Sequence, residues 1–373
     1  MTEMPEDGVH MARAVELAGR GLYTTDPNPR VGCVLVCAGR VIGEGWHERA
    51  GEAHAEVRAL SAAEGEVRGA TAYVTLEPCC HTGRTPPCVE ALIGAGIGRV
   101  VCATIDPNPR VAGRGIERLR RAGIPVSVGT MAAEARALNP GFFSRFERGR
   151  PLIRLKLAMS LDARTAPAAG ERGWISGEAS RADVQHWRAR SSAVLTGAGT
   201  VRVDDPRLDV RLDYGSWIRQ PLRVVLDAAL TCPPGARVFR DCGALLFAAE
   251  TGSESAALAP AGVPVERVPA LGRRLDLEAV IARLTAREVN ELLVECGPRL
   301  AAAFLATGRV DELILYIAPL LLGADAPPLT ALSGAEAQRV ALEIGSVERI
   351  GADLRVILRS RASGQPGATL GGT

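Results

Sequence analysis

His54-Ala55-Glu56 and Pro78-Cys79-Cys80-His81-Thr82-Gly83-Arg84-Thr85-Pro86-Pro87-Cys88 are the stretches that decide how the first half of this chain is read. Zinc prefers imidazole and thiolate donors, and a catalytic zinc keeps three protein ligands and leaves one position to water. His54, Cys79 and Cys88 supply one nitrogen and two sulfurs. Glu56, two residues past the histidine near an expected helix start, can face the open position without binding the metal. A water activated there can attack an amidine-like ring carbon, with Glu56 carrying protons from the water to departing ammonia. A structural zinc would want a fourth protein ligand and would leave Glu56 without a task. Cys80 and His81 are competing donors, and Cys33, Cys37, Cys102, Cys232, Cys242 and Cys296 read as buried small hydrophobes.

Around these motifs helix and strand alternate. Val9–Gly21 has helical apolar spacing, and runs 31–37 and 40–46 flank Ala38-Gly39 as a hairpin. Then follow a helix over 53–63, a strand over 72–76, a helix over 88–93, a strand over 100–104, a helix over 115–122 and a strand over 125–128. That alternation predicts a three-layer α/β domain over 1–146. The polar, aperiodic RFERGRP suits a linker at 147–151. A second alternation fills 152–361: a strand over 152–158, a helix over 178–190 with Ser176 as N-cap, and strands over 193–196, 222–227, 244–248, 292–295 and 312–318. Pro298 and Gly308 bracket another helix over 299–307. The Gly/Ser/Thr-rich tail 362–373 is expected to be disordered.

Composition narrows the function classes. A length of 373 residues suits two domains. The balance of 44 Lys+Arg against 42 Asp+Glu, with only 4% aromatic residues, lacks the basic grooves and stacking rings that nucleic-acid strands require. MTEMPEDG has no apolar signal region, and the apolar run from Leu313 to Leu322 is broken by Pro319 and too short to span a bilayer. Nine cysteines without a disulfide-like spacing predict a reduced, cytoplasmic protein. Lys156 is the only lysine among the 44 cations. In an Arg-, Ala-, Gly- and Pro-rich chain whose bias fits GC-rich codons, a retained lysine is a candidate for a required ammonium.

Three further motifs carry weaker signals. Gly94-Ala95-Gly96-Ile97-Gly98 has the wrong spacing for a dinucleotide loop and reads as a turn. Gly197-Ala198-Gly199-Thr200 reads as a strand-to-turn junction able to offer amides and a hydroxyl to a phosphate or ribose, and Glu295–Ala301 as a strand entering a helix N-terminus. DPNPRV occurs at 26–31 and at 106–111, each a Pro-locked loop holding an Asn amide, the second a candidate rim for the metal pocket.

The His-x-Glu … Pro-Cys … Cys pattern is that of zinc-dependent base deaminases, but eight residues separate Cys79 from Cys88 rather than the usual two. With T-x-DPNP-x-VG at 24–32, G-x-GWH at 43–47, LKLAMSLDARTA at 155–166, GWIS at 173–176, TGAGTVRVDDPRLDVR at 196–211 and VECGP at 294–298, the chain resembles the bifunctional deaminase/reductase family of bacterial riboflavin biosynthesis over roughly 10–360. The resemblance implies an α/β fold class: an N-terminal cytidine-deaminase-like three-layer α/β/α domain and a C-terminal dihydrofolate-reductase-like α/β domain. It implies one Zn2+ in the deaminase domain, and NADPH near Met159, Trp174, Ser176, Thr200, Asp204, Ala228 and the run Gly297, Pro298, Arg299, Leu300, Ala301, Ala302, Ala303. The substrate implied is a small pyrimidine ribosyl phosphate. It would meet Asn28, His47, Arg84 and Thr85 in the deaminase, and Arg172, Arg188, Leu208, Arg211 and Glu295 in the reductase, where Lys156 would be catalytic. Arg188 and Arg211 would hold the phosphate as forks. Ala163, where the family has Gly, and Arg172, where it has a small polar residue, depart from the pattern. No nucleic-acid or membrane partner is expected, and a homo-oligomer is a candidate assembly. The competing reading is a nucleic-acid base deaminase with a non-catalytic C-terminal scaffold.

Overall fold

Alternating side-chain direction along one buried six-residue strand sets the layers of the first unit. In the computed structural model, which describes residues 6–81, 86–166, 173–213, 217–250, 262–272, 274–332 and 340–360, the chain divides into two compact units. These are Met1–Arg150 with Trp217–Arg219, and Pro151–Ser216 with Gln220–Thr373. The first contains, in order, α1 (Asp7–Gly19), β1 (Gly32–Cys37), β2 (Arg40–Trp46), α2 (Ala55–Ser61), β3 (Thr71–Val74), α3 (Cys88–Gly94), β4 (Arg99–Cys102), α4 (Arg114–Arg121), β5 (Val126–Val128), α5 (Ala132–Leu138) and α6 (Pro140–Glu147). The sheet order is β2-β1-β3-β4-β5, with β1 antiparallel to both neighbours and β3, β4 and β5 parallel. Cys33 and Leu35 point to the side of α2, α3 and α4, joining Ala55, Ala59, Leu92 and Leu119. Val34 and Val36 point the other way, to Met11, Ala14 and Leu17 of α1 and Ala135 of α5. Successive β residues face opposite sides, so one strand sits between two helical layers.

The β1–β2 turn forms at Ala38-Gly39, both at positive φ (49° and 74°), as the sequence predicts for a tight hairpin. The polar stretch before residue 151 folds further than expected. Helix α6 reaches Glu147, with Phe142 and Phe143 buried against Leu76, so the connection to the next strand is 148–151.

The second unit contains β6 (Leu152–Ser160), α7 (Glu178–Arg190), β7 (Ala193–Gly197), α8 (Ala198–Asp204), β8 (Leu222–Leu226), β9 (Ala244–Ala249), β10 (Val265–Val268), β11 (Ala270–Leu271), β12 (Arg274–Leu275), α9 (Leu277–Ala286), β13 (Glu291–Glu295), α10 (Pro298–Ala306), β14 (Glu312–Ala318), β15 (Leu342–Ile350) and β16 (Asp353–Ser360). Its nine-stranded sheet runs β10-β9-β8-β7-β13-β6-β14-β16-β15, parallel from β10 to β14 and antiparallel at the β14–β16–β15 edge. Ile153, Leu155 and Leu157 of β6 pack with α9 and α10. The opposite face of the sheet, bearing Ile314 and Tyr316, packs with Val184 of α7 and Val201 of α8.

Two local expectations are corrected. The N-cap of α7 is Gly177, not Ser176, and no side chain of its own segment caps the helix. Asp353, 2% exposed, does so from β16: its Oδ2 accepts the Gly177 N–H (2.8 Å) and the Ser180 hydroxyl (2.6 Å). The 197–200 run is not a strand-to-turn junction, because α8 begins directly at Ala198. The 362–373 tail lies outside the described residues.

Candidate active site

Helix starts carry two of the three metal donors and Glu56. His54 is the N-cap of α2, Glu56 lies in its first turn, and Cys88 is the first residue of α3. A Cβ on Gly45 of β2 would lie 2.4 Å from Ala59 N and 2.5 Å from Ala55 O, so only glycine lets α2 press so closely on the hairpin. His54 Nδ1 lies 3.2 Å from Cys88 Sγ and 3.6 Å from Cys79 Sγ, and all three donor atoms fall within 4.8 Å of one another. Tetrahedral zinc with ordinary Zn–S and Zn–N lengths places its donors about 3.6–3.8 Å apart, so the residues present fit the ion. Among the described residues no fourth ligand joins the group, and Cys80 and His81 stand outside it. The Cys88 backbone N–H donates to Cys79 Sγ (3.3 Å). Hydrogen bonding from Cys88 pulls the Cys79 thiol down against its burial, and Cys88 is pushed up in return. Glu56 is 3% exposed, and burial, with the Cys79 charge adding, lifts its carboxyl above the ordinary range.

The expected pyrimidine contacts meet one another beside this triad. His47 is 2% exposed, and burial lowers its pKa to about 4, so its ring is neutral at pH 7. Its Nδ1–H donates to Ala53 O (3.2 Å), which leaves Nε2 to accept from Asn28 Nδ2 (3.0 Å). The His47 and His54 rings stand edge to face with centroids 5.1 Å apart. Asn139 braces the Asn28 loop, accepting the Arg30 N–H (2.8 Å) and donating to Arg30 O (2.9 Å). Arg84, Thr85 and Arg172 lie outside the described residues.

In the second unit the sheet register brings Lys156 of β6 opposite Glu295 of β13. Burial lowers the Lys156 pKa, opposed by Glu295 and aided by Arg188. Burial would raise Glu295, but Arg188 and Lys156 outweigh it and hold the carboxyl below its usual range. Arg188 clamps Glu295 with two bonds, Nε to Oε1 (2.6 Å) and Nη2 to Oε2 (2.9 Å), and its Nη1 donates to Asp209 O (3.2 Å). The fork expected to grip a phosphate is therefore turned onto Glu295. The Tyr316 ring lies 5.6 Å from Lys156 Nζ, and its hydroxyl donates to Asp183 (2.5 Å).

The other expected reductase residues fall into two groups. Thr200 and Gly297 come together, since a Cβ on Gly297 would lie 3.9 Å from Thr200 Oγ1, and Gly197 meets Leu300 in the same way at 3.1 Å. Met159 and Ala228 are half-buried at strand ends, Asp204 is exposed at the end of α8, and Ser176 accepts Arg181 through its carbonyl (2.6 Å). Trp174 is 81% exposed with Arg181 over its ring at 5.1 Å. Arg211 is half-exposed, its N–H held by Gln185 Oε1 (3.0 Å) and its guanidinium on Asp209. By contrast the side chains of Leu208, Ala301 and Ala302 are buried, at 2%, 0% and 3% exposure. Pro298, Arg299, Leu300 and Ala303 keep open surface on α10.

Comparison with known proteins follows the same division. Residues 4–104 match the cytidine and deoxycytidylate deaminase zinc-binding region, and residues 151–356 match the RibD C-terminal domain. The riboflavin biosynthesis protein RibD of Escherichia coli is 50% identical over 341 residues, 89% of this chain and 92% of that protein. The chain belongs to the RibD family. The RibD of Haemophilus influenzae is 44% identical, covering 94% and 96% of the two chains. Among solved structures, Acinetobacter baumannii RibD superposes with TM-score 0.88 at 43% identity, covering 96% of this chain and 99% of that one. A deaminase/reductase from Thermotoga maritima does so with TM-score 0.83 at 34% identity, covering 95% and 98%. As a RibD-family member the chain is a bifunctional riboflavin biosynthesis enzyme, with a zinc-binding deaminase half and an NADPH-dependent reductase half. The reading as a base deaminase with an inert scaffold is thereby set aside. Sequence reasoning missed Tyr316 and Asp183 beside Lys156 and Asp353 at the start of α7, whose contacts carry no linear signature.

Proposed function

We propose that the deaminase half hydrolyses the 2-amino group of 2,5-diamino-6-(5-phosphoribosylamino)pyrimidin-4(3H)-one and that the reductase half converts the ribosyl chain of the product, yielding 5-amino-6-(5-phosphoribitylamino)uracil. The Thermotoga relative is described as a diaminohydroxyphosphoribosylaminopyrimidine deaminase and 5-amino-6-(5-phosphoribosylamino)uracil reductase, which supports that substrate pair. The observation that carries the proposal is the convergence of His54, Cys79 and Cys88 within 4.8 Å beside a buried Glu56.

His54, Cys79 and Cys88 would hold the zinc. The ion supplies a Lewis acid that brings the pKa of a water to about 7. Glu56 would take a proton from the attacking water and return it to the amino nitrogen, so that the C–N bond breaks and ammonia leaves as the ring carbon gains oxygen. Neutral His47 and Asn28 orient the pyrimidine through hydrogen bonds that require no change of charge.

NADPH supplies a hydride to C1′ of the sugar. Met159, Trp174, Ser176, Thr200, Asp204, Ala228 and the exposed residues of 297–303 would bind this cofactor. Lys156 Nζ gives a proton to the sugar oxygen as the ring opens. Glu295 accepts the sugar hydroxyls on the lone pairs that Arg188 leaves, because a carboxylate offers about four acceptor sites. The phosphate falls to Arg211, with Arg172 as a further contact in the reductase half, while Arg84 and Thr85 would serve the substrate of the deaminase half. A cytoplasmic location accords with the nine free cysteines, no nucleic-acid or membrane partner is proposed, and a homo-oligomer is a candidate assembly.

The test supplies zinc-loaded protein with the diaminopyrimidine and follows ammonia release and NADPH oxidation separately. Both are expected, in that order. Ammonia release without NADPH oxidation would overturn the reductase assignment, and neither product would overturn both.

A further inference from the structure

Glu77 has no part in the chemistry above, yet its buried carboxylate (3% exposed) accepts four backbone N–H groups. Oε2 accepts from Asp106 (3.2 Å) and Gly113 (2.8 Å), and Oε1 from Gly115 (2.8 Å) and Ile116 (3.2 Å). Gly115 and Ile116 lie in the first turn of α4, whose N-cap, Gly113 at φ 85°, has no side chain to offer. Glu77 thus caps this helix from the loop that follows β3, where a negative charge also complements the helix dipole. Its own N–H donates to Thr104 O (2.9 Å).

The other end of this brace is the metal loop, because Glu77 is followed directly by Pro78 and Cys79. A Cβ on Gly115 would lie 2.1 Å from Pro78 O, so α4 is seated against the peptide that delivers Cys79. Cys80 Sγ also approaches Arg110 O at 3.8 Å. Cys79, the second DPNPR loop and the start of α4 are therefore pinned to one carboxylate.

We propose that Glu77 is a positioning residue for the metal site. It holds Cys79 in reach of His54 and Cys88 by anchoring the loop to residues 106–116, and it touches neither metal nor substrate. The proposal rests on the reading of His54, Cys79 and Cys88 as the zinc ligands.

Glu77→Gln keeps the shape and one acceptor oxygen, but it turns an NH2 group toward two backbone donors. In the zinc-loaded full chain, zinc release to a chromogenic chelator is expected to become about 10-fold faster, as when a partner orienting a ligand is lost. Amide exchange at 113–116 should rise, while NADPH oxidation with the deaminated substrate stays at the parent level and reports a folded chain. A second measurement needs no variant. Because coupling between two sites is reciprocal, stripping zinc from the parent should itself speed exchange at 113–116. Parent-like zinc release from a Glu77→Gln protein whose 113–116 amides exchange faster would overturn the proposal, leaving Glu77 as a helix cap alone. If that variant loses NADPH oxidation as well, the parent decides, and unchanged exchange on zinc removal overturns the idea. A parent that binds no zinc, or a His54→Ala variant that binds it equally well, would instead overturn the ligand reading.

Discussion

The two units build their sites in opposite ways. In the first, the metal donors and Glu56 come from a 35-residue window, 54–88, and three of those four residues sit at helix starts. In the second, Lys156, Arg188 and Glu295 come from β6, α7 and β13, and nothing local joins them. The metal site is specified by donor type and spacing, which a short motif can encode. The reductase site is specified by strand register and by mutual charge: Lys156 is held low by burial, and Glu295 is held low by Arg188 and Lys156 in spite of burial. Both units nevertheless share one device. A buried carboxylate, Glu77 or Asp353, caps the helix next to the site from a distant strand or loop.

Glu56→Gln should break the comparison most sharply. Losing the proton carrier is expected to cut ammonia release by about 1,000-fold. NADPH oxidation on the deaminated substrate should be unaffected, and a matching fall there would mean that the units do not act separately. Zinc removal by a chelator should reproduce the same division.

Arg188→Met tests whether the second site depends on paired charge. Removing one partner of a buried pair costs about 3–5 kcal/mol. Because the folded-state pKa of Glu295 is depressed, its stabilisation is present above the unfolded carboxylate value of about 4.3 and is lost as pH falls through the lower folded value. The Tm deficit of the variant should therefore be largest at neutral pH and should shrink as the pH falls below the unfolded carboxylate value and through the lowered folded value of Glu295. A deficit that does not vary with pH would show that Arg188 acts through packing.

Lys156→Arg sharpens the contrast further. The charge survives but its position shifts, and loss of one charge-assisted hydrogen bond worth about 1.5–3 kcal/mol should slow NADPH oxidation about 10- to 100-fold while leaving ammonia release alone. Unchanged turnover would remove Lys156 from the mechanism. The smallest effect is expected from Asp353→Ala, which uncaps α7 at a cost of about 1 kcal/mol and lowers Tm by about 2–4 °C. An unchanged Tm would mean that solvent replaces the cap without loss.

Much of this was legible in the residues themselves. The β1–β2 hairpin around Ala38-Gly39, the limits of α7, the strand 312–318 and the zinc donors all follow from turn chemistry, apolar period and ligand type. Helices α5, α6, α8 and α9 and strands β10, β11, β12, β15 and β16 have no counterpart in the sequence reading. Short or half-exposed elements take their stability from packing, and β15 and β16 at the sheet edge show little of the alternation that marks a buried face. Leu208, an expected substrate contact, has its side chain in the core, because a motif reports position in the chain and not the direction of a side chain.

By itself the sequence picked out the candidate donors His54, Cys79 and Cys88, the candidate acid/base carboxylate Glu56, the order of the deaminase and reductase halves and the one lysine on the first strand of the second. Those follow from residue chemistry and short-range period. Only the tertiary structure decided that the Arg188 fork closes on Glu295, that Tyr316 lies beside Lys156, and that Glu77 and Asp353 cap helices remote in sequence. A charged or hydrogen-bonding group chooses its partner by distance in the fold, and separations of 39 to 173 residues leave no periodic trace for the sequence to show.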